Sequence, residues 1–108
     1  MKDYGTIPVN ETRSHKARYA VQLHFSSWCR CKGIECPISE TQLKKLYAMD
    51  DAGFRAAFQE IAMNCDARYP VNDADAFAAN GTDGTPSLAI CCQAADIDPQ
   101  DVMDLLFQ

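Results

Sequence analysis

Lys16-Ala17-Arg18-Tyr19-Ala20-Val21-Gln22-Leu23-His24-Phe25 is the stretch on which the fold turns. Ala17, Tyr19, Val21, Leu23 and Phe25 alternate with Lys16, Arg18, Ala20, Gln22 and His24. A period of two, rich in aromatic and branched side chains, predicts a half-buried strand over 17–25. On that reading His24 faces water. The strand runs into Ser26-Ser27-Trp28-Cys29-Arg30-Cys31. Far downstream, a Gly84-Thr85-Pro86 turn feeds the apolar run Ser87-Leu88-Ala89-Ile90-Cys91-Cys92. The proline entry and β-branched Ile90 predict a second strand over 86–92, buried on both faces.

Between and after these strands the signals are helical. Ser39 with Gln42 three residues on forms a capping box, and Leu43, Leu46 and Tyr47 give an inner face, so a helix is expected over 40–49. Asp50-Asp51 stops it and caps the next. Phe54, Ala57, Phe58, Ile61, Ala62 and Cys65 recur at i, i+3, i+4, i+7, i+8 and i+11, an amphipathic stripe that predicts a helix over 52–68, ended before Pro70. Asn72 or Asp73 caps a short helix over 73–80, closed by Asn80-Gly81. Asp98 caps a last helix over 99–107, with Pro99 at its first position and Asp101 in its first turn. The fold class that follows is α+β: a small sheet of two to three strands packed with three to four helices. Residues 1–15 read as a flexible arm with a short edge strand near 6–9, and residues 16–108 as one globular domain. Arg13, Lys16 and Arg18 make a small basic cluster near His15, read as a solvated face.

A chain of 108 residues buries roughly 60–70% of its unfolded surface, enough for one core. Its net charge of −5 argues against general nucleic-acid binding, which requires cationic side chains to displace phosphate counterions; it allows a basic protein partner, and plain solubility accounts for it more simply than either. No apolar run approaches the ~20 residues that span a bilayer, and the N-terminus lacks the apolar core of a signal peptide. The expected location is cytoplasmic. Six cysteines in such a chain point to core thiols, metal ligands or thiol chemistry more than to a disulfide framework.

Three of those cysteines, Cys29, Cys31 and Cys36, fall in one loop. A cysteine between a buried strand and a helix start gains thiolate character, and a second nearby can resolve a mixed disulfide. Trp28 would shape such a site. A proline ahead of a strand can hold a cis bond and leave the backbone of Thr85 open to an extended substrate.

Phe25-Ser26-Ser27-Trp28-Cys29-Arg30-Cys31 and Asp75-Ala76-Phe77-Ala78-Ala79-Asn80-Gly81-Thr82-Asp83-Gly84-Thr85-Pro86-Ser87-Leu88 resemble, in that order, the redox site and the cis-proline loop of the thioredoxin-like superfamily, in its DsbA-type branch. The resemblance implies a reduced thioredoxin-like fold with strands 17–25 and 86–92 adjacent and antiparallel. It implies Cys29 as nucleophile, Cys31 or Cys36 as its resolving partner, and Trp28, Thr85 and Pro86 as the peptide-binding side. This sequence departs from the family in two ways. Its Cys29-Arg30-Cys31 has one intervening residue where the family has two, and the family's extra strand is reduced to 69–71.

Other uses of the same residues stand beside this one. His24, Cys29, Cys31, Cys36, Cys65 and the Cys91-Cys92 pair are candidate zinc ligands, with Cys31 and Cys36 at knuckle spacing. Cys65, on an apolar stripe, and at least one of Cys91 and Cys92 are expected in the core. The histidines have no triad partners, Asp73, Asp75 and Asp83 are poorly spaced for calcium, and there is no phosphate-binding glycine loop. Enzyme and non-enzyme readings both stay open. The first is a thiol–disulfide oxidoreductase or a degenerate peptide-binding relative without a cofactor. The second is a small acidic interaction protein or inhibitor, of the kind phages and mobile elements make. The third is a zinc-stabilised module.

Overall fold

The structure is a computed structural model that describes residues 13–66, 68–71, 73–79 and 87–107. It holds six helices in chain order: α1 (Arg13–Cys31), α2 (Glu40–Ala48), α3 (Asp51–Cys65), α4 (Ala74–Ala79), α5 (Leu88–Ala95) and α6 (Pro99–Phe107). Among the described residues there is no strand, so the α+β expectation, its sheet and the reduced thioredoxin-like fold are overturned.

Both expected strands are helices, and the reason lies in the pattern that buries them. The side chains of α1 that are shielded from water include Ala17, Ala20, Val21, His24, Phe25 and Trp28. These fall at i, i+3, i+4, i+7, i+8 and i+11, the same register as the stripe of α3. The period of two appears only if His24 is assigned to water. In fact His24 is 0% exposed, while Tyr19 and Leu23 are half-buried. The second strand fails in the same way. Ser87 is an N-cap whose hydroxyl accepts from the Ile90 N–H at 3.2 Å, and Leu88, Cys91, Cys92 and Ala95 face inward at i, i+3, i+4 and i+7. Ile90, taken as a buried strand residue, is 57% exposed. The reduced strand at 69–71 is a tight turn, with the Val71 N–H on the Tyr69 carbonyl at 2.8 Å. The edge strand near 6–9 lies outside the described residues. α1 begins at Arg13, inside the stretch expected to be an arm.

The other helices sit where their caps place them. Ser39 and Gln42 form the reciprocal capping box of α2. Asp50 accepts from the Gly53 N–H at 2.8 Å, and a Cβ at Gly53 would stand 2.9 Å from that carboxylate oxygen. Asp73 caps α4 through Asp75 and Ala76, and Asp98 caps α6 through Gln100. α1 stops at a Schellman turn: Gly33 takes φ +71°, and the Ile34 N–H reaches the Cys29 carbonyl at 2.8 Å. α5 closes alike, with Asp96 at φ 60° and the Ile97 N–H on the Cys92 carbonyl at 3.0 Å. Ile34 and Ile97, each the residue after the left-handed one, both pack on the core.

α1 is the central helix, packed on α5 and α6, while α2 lies on α3, α3 on α6 and α4 on α5. The core closes over Tyr69, from the short segment between α3 and α4. Its ring is 0% exposed and meets Phe25 at 4.9 Å, Trp28 at 5.2 Å, Phe77 at 6.0 Å and Phe58 at 6.3 Å between centroids, at edge-on angles of 68–89°. Its hydroxyl lies 2.9 Å from His24 Nδ1. Tyr69→Phe keeps the ring and removes the hydroxyl from a buried imidazole. Urea unfolding is expected to show a loss of about 1–3 kcal/mol, and Tyr69→Ala a loss of about 3–5 kcal/mol.

Candidate functional site

The residues assigned to a thiol site divide across the molecule. Trp28 and Cys29 are buried on α1, with Trp28 against the Tyr69 ring at 5.2 Å, so it is a core side chain and not a wall for substrate. Cys31 is exposed. Two residues apart on a helix, Cys29 and Cys31 lie on opposite sides and cannot act as a dithiol. Thr85 and Pro86 lie outside the described residues.

What the structure does bring together is Cys29 with Cys36 and Cys65. The Schellman turn reverses the chain after α1, so that Cys36 returns to the helix it left, its sulfur 3.8 Å from Ser26 Oγ. Cys65 is the last residue of α3. Both are half-buried against the core and near enough to Cys29 for their charge to act on its thiol. Burial, reinforced by the negative charge these neighbours would carry, pushes the Cys29 thiol up to about 12. Burial likewise raises Cys92 to about 11 and lifts Cys91. Thiols held in this way stay protonated near neutral pH. That is the reverse of an activated nucleophile, whose pKa is depressed by a helix N-terminus or a cation. Cys29 sits instead in the last turns of α1. With no sheet among the described residues, the thioredoxin-like setting on which the redox reading rested is removed.

No group of three or more His, Cys, Asp or Glu side chains among the described residues is arranged to hold a metal ion. Of the candidate zinc ligands, His24 is turned into the core towards Tyr69, and Cys91 and Cys92 are buried on α5. No described helix is long and apolar enough to cross a membrane.

A second feature escaped the sequence. Arg18, placed in a solvated basic cluster, is 4% exposed. Its guanidinium donates to the Leu46 carbonyl at 2.7 Å, to Asp51 at 2.9 Å and to Ser14 Oγ at 3.1 Å, and it lies 5.0 Å over the Phe54 ring. One side chain thus joins α1 to the C-terminal end of α2 and the N-terminal end of α3. Ser14 also donates to Asp51, and this bond, followed by the one from Arg18, holds the Asp51 carboxyl below the usual range. His15 stacks on Tyr47 at 5.7 Å with the planes 3° apart. These residues border an open groove of about 620 Å³. The only sequence clue to it was Arg18 standing three residues before Val21 and seven before Phe25, beside the stripe of α1, which becomes visible once the stretch is read with a helical period.

No family model, curated protein or solved structure matches this chain.

Two outcomes follow from this geometry. In the native protein a maleimide is expected to label Cys31 first, and Cys29, Cys91 and Cys92 only on unfolding, as peptide mapping will show. Asp51 has a depressed folded pKa, so its contribution to stability is complete above the ordinary carboxylate value of about 4 and is lost as pH falls through the lower folded value. Asp51→Asn should therefore flatten the stability profile in that acid window. Arg18→Ala should lose on the order of 3 kcal/mol at neutral pH by urea unfolding.

Proposed function

We propose that this chain is a small acidic interaction protein that works by covering a basic surface on a partner protein, without covalent chemistry of its own. The observation that carries the reading is how the fold spends its charges. Arg18 is drawn inside onto Asp51, and Arg55 is spent on the Leu105 carbonyl at 2.8 Å. Arg68 is bound to Asp66, Lys16 to Asp96 at 3.3 Å, Arg13 to Asp101 at 3.7 Å and Lys44 to Glu40 at 3.9 Å. Glu35, Glu60, Asp73, Asp75, Asp98 and Asp104 meanwhile stand exposed. These carboxylates face solvent, and a negative surface steers and orients a cationic partner. The raised Cys29 thiol supports the same reading, since the best candidate nucleophile is held in its unreactive form.

The test is affinity capture from lysate with immobilised protein, followed by titration of the captured partner. The reading expects a basic partner whose Kd rises about tenfold or more between about 50 and 200 mM salt. Asp98→Lys with Asp104→Lys should weaken it further at low salt. An affinity indifferent to salt and to charge reversal would sink the proposal.

A further inference from the structure

We propose that the groove between α1 and the corner joining α2 to α3 receives an arginine side chain of the basic partner, its guanidinium held by Asp50 and Asp51 and laid against Tyr47. This rests on the reading of the chain as a cover for a basic surface, and adds the place of contact and the chemistry of the group received.

The groove has a volume of about 620 Å³, within the range of sites that take a small group. Its two carboxylates are adjacent in the chain, at the start of α3. Each is fixed through one oxygen. Asp50 Oδ1 accepts the Gly53 N–H at 2.8 Å, and Asp51 Oδ1 accepts from Ser14 and from Arg18. The second oxygen of each takes no hydrogen bond among the described residues, and the Asp51 side chain is 58% exposed. Acceptors held in this way lose little freedom when a donor arrives. The bond from Ser14, followed by the one from Arg18, also keeps Asp51 ionised.

The rest of the lining selects the shape of the cation. His15 and Tyr47 stack with their planes 3° apart, which sets a flat aromatic surface at the groove. A guanidinium stacks on such a surface and offers paired N–H groups to carboxylate oxygens, whereas an ammonium is a point charge with no flat face. Met49, one of the large apolar side chains that the fold leaves exposed, borders the same groove and can cover the aliphatic stem of an arginine. An anion finds no such welcome. Arg18 is buried with its donors committed to Leu46, Asp51 and Ser14, and the Asp50 carboxylate already caps the first turn of α3. With Asp50 and Asp51 set against Arg18, the charged lining stays negative.

The full chain, labelled with nitrogen-15, is titrated with N-acetyl-arginine amide while its backbone amides are followed by NMR. N-acetyl-lysine amide serves as the rival cation and N-acetyl-citrulline amide as the uncharged isostere. The arginine compound should shift the amides of residues 47–53 saturably, the lysine compound should bind more weakly, and the citrulline compound should leave them in place. Asp50→Asn keeps a capping acceptor and removes the charge. It should weaken the arginine compound about two- to fivefold, and the captured partner about fivefold or more. Absence of saturable shifts at 47–53, shifts centred on α4 and α6 instead, or an equal response to citrulline would overturn the proposal. A partner that responds to salt and to Asp98→Lys with Asp104→Lys, but not to Asp50→Asn, would overturn the groove and leave the acidic-surface reading standing. A partner indifferent to salt and to charge reversal would overturn both. The titration of the unsubstituted protein decides the groove even if Asp50→Asn fails to fold.

Discussion

The burial of Tyr69 is the constraint on which the rest of the structure depends. A phenol ring that is fully enclosed must be surrounded on its edges and must find a partner for its hydroxyl. Phe25 and Trp28 from α1, Phe58 from α3 and Phe77 from α4 supply the enclosure. His24 supplies the partner, at 2.9 Å. Three helices are thereby held to one side chain that belongs to none of them. The same requirement explains why α1 turns the face that it does. His24 must point inward to meet the hydroxyl, and once it does, Ala17, Ala20, Val21, Phe25 and Trp28 follow it on the helical period.

Around this centre, the helix ends are joined by long polar side chains. Arg55 and Gln59, one turn apart on α3, donate to the Leu105 and Leu106 carbonyls, the last turn of α6, where backbone acceptors lack intrahelical donors. Arg18 does the corresponding work at the other end, on the Leu46 carbonyl in the last turns of α2. Cations near helix C-termini also meet the negative end of the dipole. The consequence reaches the surface. Arg18 and Arg55 are drawn into the joints of the fold, and the carboxylates that cap the helices stay outside.

The sequence was legible where local chemistry decides. Ser39, Asp50, Asp73 and Asp98 each mark a helix start through a side chain reaching its own next turn, an interaction within three residues. The stripe of α3 was equally plain because every member is apolar. α1 carried a stripe of the same spacing, but one member is a histidine and Arg18 is buried alongside, and polarity read residue by residue puts both in water. α5 was misread for a related reason. Ser87 is as good an N-cap as Ser39, yet the apolar run after it is dense enough to suit a strand as well as a helix. The thiol site was half legible. Cys29 was singled out with Cys31 or Cys36 as its partner, and the helix sends Cys31 to the opposite side, while Cys65 was weighed only as a core residue or a zinc ligand.

By itself, then, the sequence determined the local elements: where α2, α3, α4 and α6 begin, how long a stripe each can bury, and the net negative charge. The tertiary structure decided what those elements enclose. Whether a histidine counts as wet or buried depends on a tyrosine 45 residues away, and whether an arginine is a surface charge or a joint depends on a carbonyl 28 residues on and a carboxylate 33 residues on. A polar side chain can be buried only if its partner is brought to it. That condition concerns distance in space, and no period along the chain records it.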